Sequence, residues 1–372
     1  MFDGILAATG RAGGFTKIWL VPIGADGSAT ADATPMVFEE EACECGLASN
    51  KLFATGGKLR VEYTSMTTPQ SLLEYDVRMG AFKLLKQKPV PNYDASKYAT
   101  KQMRVTARDG ETIPVTLFWR PDAIKGGEGA PAPLHLYGYG SYGVCIDPGF
   151  SESLVYLPLV DRGVVFAIAH IRGGGEMGHH TWYEAAGKYL QKRNTFFDFV
   201  DCACALIAEG VAQPGQVTCE GRSAGGLLVG NVVNDAPEIF KAALAGVPFV
   251  DLMVTMCDPT IPLTCEEWEE WGNPNEAKYH EYMMSYSPIQ QVRTGVVYPA
   301  MLLTSGLNDP RVAYWEPTKW AQVLRERVPN GKEVLLKMDM AAGHFSANDR
   351  YKKLAERSFE YAWLLEQLGR AD

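Results

Sequence analysis

The stretch Gly221-Arg222-Ser223-Ala224-Gly225-Gly226 restricts the fold of this chain more than any other. It fits Gly-x-Ser-x-Gly, in which a strand turns so sharply into a helix that a serine hydroxyl stands exposed at the strand's carboxyl end. Such a pattern alone also occurs in ordinary loops, so the flanks decide. Residues 216–220 read as a short strand entering the turn and residues 227–233 as an apolar helix leaving it. The glycines at 221, 225 and 226 omit Cβ atoms where helix and strand would cross closely.

A turn of this kind needs a sheet to stand on. From residue 98 onward, strand-like runs alternate with helix-like ones, at 102–107, 113–119, 134–139, 164–170, 217–220, 242–246, 300–305 and 333–338 for strands. Helices are expected at 195–209, 227–234, 317–328 and 351–368. Eight strands with the serine after the fifth predict an α/β-hydrolase fold, with an eight-stranded, mostly parallel sheet, over residues 96–372. Residues 1–95 read differently. Short alternating runs at 5–8, 17–21, 59–64, 71–76 and 82–85, separated by Gly, Asp and Pro, predict antiparallel meanders. They amount to about one to two four-stranded blades, and a closed ring needs at least about four, so this part is read as an incomplete remnant of an antiparallel β-propeller. Residues 86–97, with Pro89 and Pro91, read as a linker.

A serine nucleophile needs a general base, and the base needs a group to orient it. In the predicted fold these follow in the order Ser, Asp or Glu, His, each on a loop after a later strand. Two histidines lie beyond Ser223. His280 sits in a polar, helix-like stretch, whereas His344, in Ala341-Ala342-Gly343-His344, directly follows the last strand and is the base by position. The loop after the seventh strand, Gly306-Leu307-Asn308-Asp309-Pro310, offers Asp309 as the orienting acid. The oxyanion formed during attack needs preorganised donors. The Ala224 amide, opening the elbow helix, is one. There is no His-Gly-Gly-Gly run to supply a second, so a tyrosine hydroxyl of Tyr137-Gly138-Tyr139-Gly140-Ser141-Tyr142-Gly143 is the expected source.

Composition narrows the partners. A net charge of −9 argues against nucleic acid and anionic membrane surfaces. No apolar run reaches the length of a bilayer span, and the first residues lack the basic-then-apolar pattern of a secretory signal, so a cytoplasmic enzyme is expected. Eight irregularly spaced cysteines, with Cys43-x-Cys45 and Cys202-x-Cys204 lacking the two-residue spacing of metal or redox pairs, read as reduced thiols. No metal and no cofactor are expected.

Several of these motifs together resemble the prolyl oligopeptidase family of serine peptidases over about residues 98–368: Tyr137-Gly138-Tyr139-Gly140, Ile171-Arg172-Gly173-Gly174-Gly175-Glu176, the elbow, Asn308-Asp309-Pro310-Arg311-Val312 and Gly343-His344. Val247-Pro248-Phe249-Val250-Asp251, Glu267-Trp268-Glu269-Glu270-Trp271 and Tyr314-Trp315-Glu316-Pro317 are similar to the branch that cleaves short peptides after Arg or Lys. The resemblance implies Ser223, Asp309 and His344 as the triad, with the Tyr139 hydroxyl and the Ala224 amide as oxyanion donors. It implies that Arg311 holds a substrate carbonyl, that Glu267 receives the Arg or Lys side chain and that Phe249 walls it. Asp147 matches an acid favouring a second basic residue, although Gly149 stands where some members carry another acid. Arg172 and Glu176 are read as structural. Members of the family carry a complete propeller and a segment before it, against which this chain reads as the carboxyl-terminal part, its activity and stability open. An esterase using the same triad is the rival reading. Glu267 and Arg311 argue against it, because a neutral ester has no use for a buried carboxylate.

Overall fold

Alternate residues of the first strands point into a small core of their own. β1 (Ile5–Ala12) and β2 (Phe15–Pro22) form an antiparallel hairpin, to which β3 (Thr34–Pro35) adds a two-residue edge. β4 (Cys43–Leu47), β5 (Lys58–Ser65), β6 (Ser71–Asp76) and β7 (Ala81–Gln87) follow as a four-stranded antiparallel meander. Leu59, Val61 and Tyr63, every second residue of β5, meet Ile18 and Leu20 of β2 in that core. The structure, a computed structural model, describes residues 1–127, 129–345 and 349–371.

The large sheet begins with β8 (Ala99–Thr106) and β9 (Thr112–Trp119), then β10 (Ala132–Tyr137), helix α1 (Phe150–Val160) and β11 (Val165–Ala169). α2 (Arg193–Ala208), β12 (Ala212–Arg222), α3 (Ala224–Asp235) and β13 (Phe240–Gly246) carry the chain through the centre. Three short helices, α4 (Leu252–Cys257), α5 (Thr264–Trp271) and α6 (Ala277–Met284), precede β14 (Ala300–Gly306), α7 (Trp315–Arg327), β15 (Val334–Asp339) and α8 (Arg350–Gln367). The strand order is β15-β14-β13-β12-β10-β11-β9-β8, and the neighbouring pairs are parallel except β11–β9 and β9–β8, so that β9 alone in this sheet runs against the rest. This is the expected eight-stranded α/β-hydrolase sheet.

Both faces of that sheet are covered, which is why its central strands read as continuous apolar runs. Along β11, Val165, Ala167 and Ala169 face a core shared with Phe196 and Phe199 of α2, Leu228 of α3 and Trp320 of α7. Phe166 and Ile168 point the other way, to Tyr156 and Leu159 of α1 and Tyr361 and Leu364 of α8. Helix α1 is not signalled by apolar periodicity: Leu154 and Val155 lie on its exposed side and Pro158 sits inside its last turn.

Residues 88–98 are more than the expected tether. Tyr93 stacks on Tyr98, meets Phe150 edge-on and donates its hydroxyl to the Thr67 carbonyl at 2.7 Å. The first hairpin is seated on the large domain as well. Phe15 packs edge-on against His170 with ring centroids 5.5 Å apart, and Arg104 of β8 donates to the Gly13 carbonyl at 2.8 Å.

Candidate active site

Ser223 follows β12 directly, with φ +58° and ψ −120°. A side-chain-bearing residue in such a conformation carries about 1–3 kcal/mol of strain, which the surroundings must hold in place. They do so through the backbone: the Ser223 N–H donates to the Gly246 carbonyl at 2.9 Å, and the Ser223 carbonyl accepts from Gly226 at 2.8 Å and from Phe249 at 3.1 Å. Two of the three elbow glycines are obligatory by close approach. A Cβ on Gly221 would lie 2.1 Å from the Gly225 carbonyl oxygen, and one on Gly226 would lie 2.4 Å from the Pro248 Cα. Gly225 is less confined, its Cβ meeting the Tyr139 ring at 3.3 Å and the Gly138 carbonyl oxygen at 3.4 Å.

The loops after β14 and β15 bring the other two residues to the serine. They are tied to each other by Leu307 N–H to the Asp339 carbonyl at 2.9 Å and Asn308 N–H to the Ala342 carbonyl at 3.0 Å. His344 Nε2 lies 3.1 Å from Ser223 Oγ, and His344 Nδ1 lies 2.7 Å from Asp309 Oδ2. Asp309 Oδ1 accepts from the Arg311 and Val312 amides at 2.8 and 3.0 Å, which fixes the carboxylate while leaving Oδ2 for the imidazole. His280 is exposed on α6.

Ser223, His344, Tyr139 and Arg311 line one cavity of about 500 Å³. The Ala224 N–H opens α3, so it has no acceptor one turn back within the helix and sits at the positive end of the helix dipole. Burial pushes the Tyr139 hydroxyl up to about 12, with Glu267 and Glu270 adding to the shift and Arg311 opposing it. The phenol is therefore a neutral O–H donor at ordinary pH. The Arg311 guanidinium is 5.0 Å from the centre of the Phe345 ring at the cavity's mouth. Arg222, Arg357 and Glu360 line the same cavity. Beneath it the buried Glu220 accepts from Arg357 at 2.7 Å and from Arg222 at 3.1 Å.

Glu267 and Phe249 stand in an aromatic compartment beside the serine. Tyr142 hydroxyl and Trp271 Nε1 each donate to Glu267 Oε2 at 2.8 Å; among the described residues no donor reaches Oε1. Burial raises the Glu267 carboxyl above the usual range, against the pull of those two donors. Phe249, 6% exposed, packs on Trp271 at 5.5 Å. Trp271 lies four residues after Glu267 on α5, a helical spacing that the sequence displays; the part played by Tyr142 is not visible there.

The Asp147 carboxylate is gripped by Arg11 of β1 at 2.6 and 3.2 Å, and Asp147, like Glu267 and Phe249, is not among the residues lining the cavity. The Arg11 guanidinium reaches further, to the Gly14 and Glu176 carbonyls. Asp147 thus joins the first hairpin to the large domain. Arg172 is likewise structural in its contacts, bonded to Asp198 at 2.6 and 2.9 Å and to Asp109 at 2.6 Å.

A sequence profile of the prolyl oligopeptidase family matches residues 148–371. A curated relative from Pseudoxanthomonas mexicana, named dipeptidyl aminopeptidase BI, is 45% identical over 370 residues, which is 99% of this chain and 49% of the relative. Among solved structures, oligopeptidase B from Leishmania major is similar with a TM-score of 0.87 and 44% identity, over 100% of this chain and 51% of that one. Oligopeptidase B from Trypanosoma brucei, in a closed form with covalently bound antipain, gives a TM-score of 0.86 and 49% identity, over 99% and 51%. The chain spans about half the length of these relatives.

Proposed function

The chain belongs to the prolyl oligopeptidase family, and on that premise we propose that it is a serine peptidase hydrolysing peptide bonds after Arg or Lys through an acyl-enzyme on Ser223. The observation that carries the proposal is the unbroken relay from Ser223 Oγ to His344 at 3.1 Å and from His344 to Asp309 at 2.7 Å. His344 Nε2 takes the serine proton as Oγ attacks the carbonyl carbon, while Asp309 holds the Nδ1–H tautomer and balances the imidazolium. The Tyr139 O–H and Ala224 N–H donate to the oxyanion. His344 then protonates the leaving amine, and water repeats the sequence on the acyl-enzyme with His344 again as base. Arg311, at the cavity's mouth, binds a substrate carbonyl.

Glu267 supplies the preference. A guanidinium or ammonium leaving water needs an opposite charge in return, and an aromatic compartment with a carboxylate oxygen that no donor reaches among the described residues offers it. The relatives named oligopeptidase B support peptides as substrates. The test is a comparison of kcat/KM for matched peptide amides carrying Arg, Lys or norleucine at the cleaved position, with a short aliphatic ester alongside. A preference for Arg and Lys amides by about two orders of magnitude or more is expected from one desolvated ion pair. Equal turnover of norleucine, or turnover of the ester alone, would refute the reading.

A further inference from the structure

Lys192, immediately before α2, is 0% exposed. An ammonium is rarely found there unless its protons are all engaged. Here they are: Nζ donates to the Gly140 carbonyl at 2.6 Å and to Ser141 Oγ at 2.8 Å, and reaches Glu270 Oε1 at 3.4 Å, with the Trp271 ring 5.0 Å away. Glu270, 3% exposed, accepts the Tyr142 N–H on the same oxygen at 3.1 Å and the Tyr183 hydroxyl on the other at 2.5 Å. One buried ion pair therefore grips three successive residues: a carbonyl at Gly140, a hydroxyl at Ser141 and an amide at Tyr142. That loop needs gripping, because Tyr142 has φ +59°, a left-handed conformation that residues with a Cβ avoid. Two working parts stand on it. Tyr139 precedes the gripped residues, and the Tyr142 hydroxyl holds Glu267.

We propose that the buried Lys192–Glu270 pair positions the active site, fixing the 139–142 loop so that the Tyr139 hydroxyl and the Glu267 carboxylate keep a set placement about Ser223. This rests on the function proposed above. Neither residue touches substrate; both are positioning residues acting through Tyr139 and Tyr142. The pair thereby links oxyanion stabilisation to the compartment that receives the basic side chain.

A double-mutant cycle on kcat tests this, using the whole chain and a saturating Arg peptide amide at pH 7. Tyr139→Phe and Lys192→Met should each lower kcat by about 10²-fold, the effect of losing one oxyanion donor. Together they should cost no more than about threefold beyond Lys192→Met alone, because a displaced Tyr139 has little left to lose. Losses multiplying to about 10⁴-fold, or a parent-like kcat in Lys192→Met, would overturn the proposal. A parent-like Tyr139→Phe beside an impaired Lys192→Met would overturn it through its premise, locating the error in the oxyanion assignment. Lys192→Met leaves Glu270 buried without its cation, so the cycle is repeated with Lys192→Met/Glu270→Gln, which removes both charges. Near-ultraviolet circular dichroism reports whether that pair is folded. The same coupling is expected there, and additive losses in the folded double variant would equally overturn the proposal.

Discussion

Ser223 carries its hydroxyl on a backbone that few residues tolerate, and the bonds that hold this backbone also set the compartment beside it. The Phe249 N–H bonds the Ser223 carbonyl, so the nucleophile and the aromatic wall move as one. Ser223→Ala or His344→Ala should lower kcat by about 10⁴–10⁶-fold, since each breaks a unit that acts together; near-parent turnover by either variant would show that the relay is idle. Glu267→Gln should lower kcat/KM for Arg substrates by the equivalent of about 2–5 kcal/mol while sparing norleucine substrates. The sign of the pH effect follows from burial. The Glu267 carboxyl is raised, so it accepts a proton at a higher pH than a free glutamate, and Arg turnover should fall more steeply on acidification than norleucine turnover does. Parallel acid limbs for the two substrates would contradict this. That Ser223, Asp309 and His344 come together was legible in sequence because order along the chain and loop position are sequence properties. Lys192 and Glu270 were not, being 78 positions apart and meeting only when the loop after β10 closes over them.

Close crossing of β12, α3 and the segment after β13 is what makes the elbow. A methyl group on Gly226 would fall on the backbone of Pro248 at 2.4 Å, which cannot yield without shifting Phe249, whereas one on Gly225 comes no closer than 3.3 Å to the Tyr139 ring and 3.4 Å to the Gly138 carbonyl oxygen. Gly226→Ala should therefore cost about 1–3 kcal/mol of stability, and Gly225→Ala clearly less. Thermal melts of the two variants decide it, and equal destabilisation would contradict the argument. The same distinction was beyond the sequence, which shows three glycines alike. Period and punctuation revealed every strand of the large sheet, the central ones because they are apolar on both faces and the edge strand β8 in spite of its polar residues. They missed α1, whose apolar residues lie on its exposed side as well as its buried one, and the short helices α4 and α5.

Across the whole molecule, the first two sheets and the large domain are joined by specific contacts rather than by a bare linker. Arg11 holds Asp147 from 136 positions away, a pairing that no local pattern in the sequence could announce. Asp147→Asn should accordingly cost about 1 kcal/mol, read as a drop of roughly 2 °C in Tm, and leave the ratio of turnover on dibasic and monobasic peptides unchanged. A changed ratio at constant Tm would return Asp147 to the substrate. Glu40 makes a second seam, accepting from Ser65 and Thr67 at 2.6 and 2.9 Å and from Thr100 of β8 at 3.4 Å. The central claim is that Ser223 forms an acyl-enzyme with substrates whose basic side chain is received by Glu267. Its most direct test is an acid-quenched reaction with an activated Arg ester, digested and mapped by mass spectrometry. An arginyl adduct is expected on the peptide carrying Ser223, absent in Ser223→Ala and much reduced in Glu267→Gln. An adduct on any other residue, or one formed as readily from the norleucine ester, would contradict it.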